Sequence, residues 1–312
     1  MAIGIIGAGA MGGLFGGMLA DAGYDVRLYD IDPALVSTIN ADGLRVESED
    51  GVVAEAAPPA ATEPEIDTDL EFTFLFCKSQ HTTDAIEDFR PVIDRSQALV
   101  TCQNGLSNIY VLRDRLPAEK IYGGYTVNGA NRPEPGRVRL LGIGTTVVGG
   151  PDRAIADDIV ATLVDAGMEA KAVDDPLPHI WDKQFINVGI KPIAALSNLR
   201  HGGMATSEDA QAAMRALIEE AMAVAEAKGI ERITDDPVQV TIDNISRADK
   251  RTKKSSIMED IENERPTEIE YMTGTIAEFG EEAGVPTPYN WLATRLVQAK
   301  EHSYLGSPVD KS

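Results

Sequence analysis

The chain has 312 residues, enough for one large domain or two of ordinary size, with the 43 % hydrophobic and 25 % charged content usual for a globular protein. Lys plus Arg number 28 against 50 Asp plus Glu, a formal charge of -22. That balance excludes nucleic acid as a general partner and disfavours an anionic membrane surface, because phosphate binding needs a basic face.

Ala2 to Ile6 reads as a short apolar strand, followed by a glycine-rich turn and a helix to about Ala22. Residues 1 to 20 are uncharged, but the positive start of a signal peptide is missing. No later run reaches the roughly 18 apolar residues of a spanning helix. With only Cys77 and Cys102, no CxxC and four scattered histidines, neither a disulfide framework nor a metal site is expected. These features predict a cytoplasmic protein without membrane partners.

Tyr24 to Tyr29 alternates as a second strand, and Asp32-Pro33 opens another helix. Glu71 to Cys77 and Ala98 to Cys102 have strand length and composition, with a helix between them and another from Ser107 to Arg115. This rhythm predicts a parallel sheet covered on both faces. From Ile121 to Gly149 three strand-like runs separated by turn residues predict an antiparallel extension of that sheet. A helix from Arg153 to Ala166 and a strand near Met168 to Val173 complete a first domain, 1–173. The second, 174–312, reads as all-helical: Ile180 to Leu196, Glu208 to Lys228, Pro237 to Ala248, Thr267 to Ala283 and Asn290 to Glu301. Gly229 and Gly284 sit where helices end, and the tail after Ser303 is expected to fray.

Gly7-x-Gly9-x-x-Gly12 lies between the first strand and its helix, the arrangement that holds a dinucleotide. Gly7 permits the tight turn, Gly9 lets the backbone approach a pyrophosphate, and Gly12 lets helix and strand pack closely. The helix start at Ala10, Met11 and Gly12 offers N–H groups and a positive dipole end to the phosphates. Asp30 ends the second strand, where a carboxylate accepts adenine-ribose hydroxyls and repels a 2′-phosphate. No basic residue follows at once, so NAD is favoured over NADP.

Four further motifs follow in order: Cys77-Lys78-Ser79-Gln80, Gln103-Asn104-Gly105, Trp181-Asp182-Lys183 with Asn187 downstream, and Ser255-Ser256-Ile257-Met258 leading to Arg265-Pro266-Thr267-Glu268-Ile269-Glu270. With the glycine turn they make the chain resemble the ketopantoate reductase (2-dehydropantoate 2-reductase) family over nearly its whole length. The resemblance implies an α/β Rossmann-type N-terminal domain, an all-α C-terminal domain and a substrate held between them. It implies hydride transfer between NAD(P)H and the C2 carbonyl of a 2-keto acid. Hydride arriving at carbon leaves charge on oxygen, so a proton donor must stand beside it. Lys183 matches the family's catalytic general acid/base, and partial burial or a nearby cation such as Lys78 is expected to lower its pKa. Asn187, four residues on and on the same helix face, is implied to help hold the substrate. Ser256 is implied to bind the keto-acid carboxylate, and Glu268 a substrate hydroxyl or Lys183. Lys78 and Asn104 match positions lining nicotinamide and substrate. No nucleophile is needed, so Cys77 and Cys102 read as small apolar residues.

The chain departs from the family pattern at Asp30, where basic residues are common, and at His201, where asparagine is frequent. It departs again at Lys191, where asparagine is usual. Positions 183, 187 and 191 form one stripe, and Pro192 can bend the helix there. Lys191 is expected either to meet an extra negative charge on the substrate or to turn to solvent. Three readings follow. One is a ketopantoate reductase serving coenzyme A synthesis. Another is an NAD-linked 2-hydroxy acid dehydrogenase acting on another acid, such as a dicarboxylate, favoured by Asp30 and Lys191. The third is a non-catalytic dinucleotide-binding regulator, which the joint presence of Lys183, Asn187, Ser256 and Glu268 opposes. The substrate is expected to be a small anionic keto or hydroxy acid, and the helical domain is expected to form a homodimer.

Overall fold

A computed structural model describes residues 2–64 and 69–306. The chain divides into two compact units: Met1–Asn104 with Asn108–Leu177, and Gly105–Ser107 with Pro178–Ser312. The first is α/β and the second helical, as the fold class read from sequence requires. Among the described residues no helix is long and apolar enough to cross a membrane.

The strands of the first unit are β1 (Ala2–Ile6), β2 (Asp25–Tyr29), β3 (Leu44–Ser48), β4 (Gly51–Ala56), β5 (Ala60–Ala61), β6 (Leu70–Leu75), β7 (Ser96–Thr101), β8 (Ile121–Thr126), β9 (Gly129–Glu134), β10 (Arg137–Gly142), β11 (Thr146–Gly149) and β12 (Ala170–Val173). The main sheet runs β12-β11-β8-β7-β6-β1-β2-β5. Its pairings from β8 to β5 are parallel, which explains the continuous apolar runs: β1 is buried at all five residues. The antiparallel turn comes only at β11, which runs against β8 and carries β12 parallel to itself.

The run from Ile121 to Gly149 therefore corrects the sequence reading. Its first strand continues the parallel sheet, and the β9–β10 hairpin leaves that sheet altogether. The hairpin joins β3 and β4 in a second sheet of order β4-β3-β10-β9, two strands of which sequence reading missed. The β3–β10 pairing joins residues some ninety positions apart, from Arg45↔Arg137 to Glu47↔Arg139.

The first helix, α1 (Ala10–Asp21), lies between the two sheets. This explains three of its four glycines. A Cβ on Gly16 would come within 2.8 Å of Leu28 in the main sheet. One on Gly13 would meet Val138 at 2.8 Å and one on Gly17 would meet Val46 at 2.9 Å, both in the second sheet. The helix after Asp32 is capped as expected: Asp32 Oδ1 accepts from the Ala34 and Leu35 N–H groups.

In the second unit, α2 (Leu177–Ser197) begins one turn earlier than predicted. Asp175 Oδ1 accepts from Leu177 N–H there, and Pro178 is tolerated in a first turn. Trp181, Phe185 and Val188 bury one face of it. The helix Glu208–Ala227 starts at Ser207, whose Oγ accepts from Ala210 N–H, with two acidic residues suited to the positive dipole end. Gly284 adopts φ 69° to end Thr273–Ala283. Three details differ from expectation. The predicted helix from Thr267 is broken into a turn at Ile269–Tyr271 and the helix Thr273–Ala283, because Thr267 Oγ1 accepts from Ile269 N–H and competes with helical pairing. Pro237–Ser246 stops before Ala248. Short helices at His201–Thr206 and α3 (Ser256–Glu262) were not foreseen. The last helix reaches Leu305, and the tail expected to fray lies, from residue 307, outside the described residues.

Candidate active site

The glycine turn separates three reasons for glycine. Gly7 has φ +91°, and a Cβ there would sit 2.8 Å from Cys77 N. A Cβ on Gly12 would stand 1.8 Å from Gly7 O, so helix and turn touch through bare backbone. A Cβ on Gly9 would meet nothing within 4 Å. Packing therefore demands glycine at 7 and 12 but not at 9, whose Cβ side is open. The helical ladder starts with Gly13 N–H donating to Gly9 O at 2.8 Å, and no acidic side chain occupies the first turn of α1. The N–H groups of Ala10, Met11 and Gly12 precede that ladder, as at any helix start. These residues fit a dinucleotide pyrophosphate.

Asp30 is tied to this turn. Its Oδ2 accepts from Ala8 N–H at 2.7 Å and its Oδ1 from Asp32 N–H at 3.0 Å. The carboxylate thus braces the cradle from the end of β2, a second task beside the ribose contact read from sequence. Arg27 pairs with Asp25 at 3.1 Å along the same strand.

The ends of β6 and β7 are joined by a polar network that sequence reading missed as a unit. Gln103 Nε2 donates to Cys77 O at 2.7 Å and to Thr82 Oγ1 at 3.0 Å. Thr101 Oγ1 donates to Gln103 Oε1 at 2.8 Å. Asn108 Nδ2 donates to Ser79 Oγ at 3.0 Å and to Asn104 O, while its Oδ1 accepts from Thr82 Oγ1 at 2.7 Å. Ser79 Oγ donates to Asn104 O at 2.8 Å. Ser79, Thr82 and Asn108 are buried, so these bonds are made away from competing water. The network fixes the backbone on either side of Lys78 and Asn104, the two predicted site residues at these carboxyl ends. Cys77 lies inside it and Cys102 is buried in the core beside it.

In the helical unit Lys183, Asn187 and Lys191 follow one another at intervals of one turn along α2, the first two half-buried. Lys191 is only 8 % exposed. Its Nζ donates to Ser256 Oγ at 2.7 Å. Lys191, Ser256, Asp260 and Glu268 line one small pocket with Ile257 and Met272. The structure thus brings three predicted substrate residues together and adds Asp260, which is also paired with Arg265 at 3.2 Å. Lys191 does not turn to solvent. Nor is it an isolated positive charge, since two carboxylates share its pocket. Sequence could not give this setting, because Ser256 arrives from 65 positions away.

Asp182, between Trp181 and Lys183, accepts a hydrogen bond from Thr234 Oγ1. His201 is buried, and burial together with the Lys253 and Lys250 charges pushes its imidazole down to about 4. It is neutral at pH 7, so the chain's departure at 201 adds no charge there.

Residues 3–153 match the family model described as ketopantoate reductase PanE/ApbA, and residues 176–301 match the model of its C-terminal part. The chain is 30 % identical over 294 residues to a 2-dehydropantoate 2-reductase of Halobacterium salinarum, covering 92 % of this chain and 95 % of the other. A 2-dehydropantoate 2-reductase of Pyrococcus abyssi is 31 % identical, with coverage of 96 % and 98 %. Among solved structures, D-mandelate dehydrogenase with NADH and anilino(oxo)acetate is similar with a TM-score of 0.89 at 28 % identity, covering 98 % of this chain and 100 % of the other. A PanE/ApbA family ketopantoate reductase from Ralstonia eutropha is similar with a TM-score of 0.87 at 28 % identity, with the same coverage.

Proposed function

The chain belongs to the ketopantoate reductase family, and on that premise we propose that it is a nicotinamide-dependent reductase of a 2-keto acid, with Lys183 as general acid. The observation that carries the cofactor half is Gly9, a glycine with open space on its Cβ side between two glycines that packing requires. Bound NAD(P)H supplies the hydride. The chain's own residues do the rest. Lys183 Nζ gives a proton to the C2 oxygen as that oxygen gains charge, so that ketone plus hydride plus proton becomes alcohol. In the oxidative direction the neutral amine takes the alcohol's proton back. Asn187, one turn along α2, helps hold the reacting end. Ser256 receives the C1 carboxylate and Glu268 a hydroxyl of the substrate. Lys78 and Asn104, held by the Gln103–Asn108 network, would border a bound nicotinamide.

We favour NADH as the cofactor. Asp30, kept in place by Ala8 and Asp32 N–H groups, puts a negative charge where a 2′-phosphate would lie. A homodimer remains part of the proposal, read out by the mass in solution.

The second reading, an NAD-linked 2-hydroxy acid dehydrogenase acting on an acid other than pantoate, is favoured by Asp30 and by the likeness to D-mandelate dehydrogenase. A dicarboxylate is the less fitting choice, since Lys191 already shares its pocket with Asp260 and Glu268. Steady-state oxidation of NADH and NADPH with ketopantoate and with phenylglyoxylate, side by side, separates the readings. Turnover of ketopantoate supports the first, and turnover of phenylglyoxylate alone supports the second. Tight NADH binding without turnover of any keto acid would overturn both in favour of a regulator.

A further inference from the structure

Lys191 and Ser256 form a pair with a fixed direction. An ammonium only donates, so in the 2.7 Å contact Ser256 Oγ must accept. The hydroxyl proton of Ser256 is then turned away from Lys191. Ser256 is exposed at the first position of α3, whereas Lys191 is buried behind it. The positive charge is therefore shielded from water and reaches outward through the serine oxygen. An asparagine at 191 could donate or accept, and would leave the serine proton free to point either way. Asp260 and Glu268 line the same pocket, so the buried cation has carboxylates in its surroundings.

We propose that Lys191 is a positioning residue that acts through Ser256: it fixes the serine hydroxyl as a donor toward the C1 carboxylate of the keto acid and strengthens that bond with its charge. The proposal rests on the reductase reading. It assigns Lys191 to the carboxylate common to all 2-keto acids, not to a second carboxylate peculiar to diacids. A hydrogen bond donated from a hydroxyl backed by a cation is worth more than a neutral one, on the order of tenfold in affinity.

The test is a double-mutant cycle in the full-length enzyme, with K191N, S256A and K191N/S256A. The substrates are ketopantoate, phenylglyoxylate and 2-oxoglutarate, whichever are turned over. K191N is expected to raise KM about tenfold, by the same factor for monoacids and the diacid, with kcat within about twofold. S256A raises KM at least as much, and the double variant is no worse than S256A alone. K191R, which keeps charge and donors, restores most of the affinity; it also stands in should K191N not fold, when K191M measured beside it supplies the uncharged arm. Additive effects in the cycle, or a larger KM factor for 2-oxoglutarate, would overturn the proposal. An S256A enzyme with unchanged KM would instead remove the carboxylate from Ser256, and absence of turnover on all three acids would remove the reductase reading itself.

Discussion

Replacing Gly9 with alanine separates cofactor binding from folding. The new Cβ meets no protein atom within 4 Å, and φ at Gly9 is -67°, outside the left-handed region reserved for glycine. Stability should change by no more than ~0.5 kcal/mol in either direction. The methyl would, however, occupy the side from which the pyrophosphate reaches the helix start. Losing one charge-assisted N–H contact costs about 1.5–3 kcal/mol, which weakens NADH binding by roughly 10- to 100-fold. Gly12→Ala is the contrast. Its Cβ would lie 1.8 Å from Gly7 O, so turn and helix must part by more than an ångström. That overpacking should cost ~3 kcal/mol or more and lower the melting temperature by several degrees. Thermal melting of the two variants without cofactor, followed by NADH fluorescence titration, reads both quantities. A G9A protein that binds NADH like the unmodified one, or that melts as early as G12A, would refute the assignment of that open space to phosphate.

Three further outcomes are expected. Asp30→Asn removes the charge proposed to face a 2′-phosphate, and its amide can accept from only one of the Ala8 and Asp32 N–H groups, so kcat/KM should fall with both cofactors while the ratio for NADH over NADPH falls about tenfold, the ~1–2 kcal/mol of one partly screened charge pair; an unchanged ratio would place selectivity elsewhere. Asn108→Ala leaves Ser79, Thr82 and Asn104 O short of partners in a buried place, and should cost ~2–3 kcal/mol in denaturant unfolding together with a loss of kcat/KM larger than that of kcat. His201 has a folded pKa near 4, below the unfolded value of 6.5, so the unfolded chain binds the extra proton first. Its contribution is complete above pH 6.5 and is lost as the pH falls toward 4, amounting to ~3 kcal/mol at the acid end. His201→Gln should flatten the acid limb of stability against pH by that amount, and identical limbs would show the imidazole to be solvated.

What could be read from sequence follows from how local each signal is. The glycine turn is legible because the positive φ of Gly7 and the contact of Gly12 with Gly7 arise within six residues, and the parallel strands because a strand buried on both faces is apolar throughout. The second sheet was not, since β3 and β10 are mostly polar on their open side and pair across some ninety residues. Ser79, Thr82 and Asn108 look like ordinary polar residues of a loop or a helix start until the ends of β6 and β7 are placed together. Lys191 was marked as unusual, but its partner is settled only by the approach of α3.

The four interior glycines of α1 also set an order of assembly. Each is poorer than alanine as a helix former by about 0.8–1.0 kcal/mol, so the segment 10–21 has little tendency to coil alone. It gains its stability from walls supplied by residues as far along as Val138. The helix that carries the glycine turn is thus made well before Val138, the wall it needs in order to become rigid. A nascent chain that ends before Val138 lacks the second wall, so a nicotinamide cofactor would act as a ligand of the finished unit rather than as a nucleus for its folding.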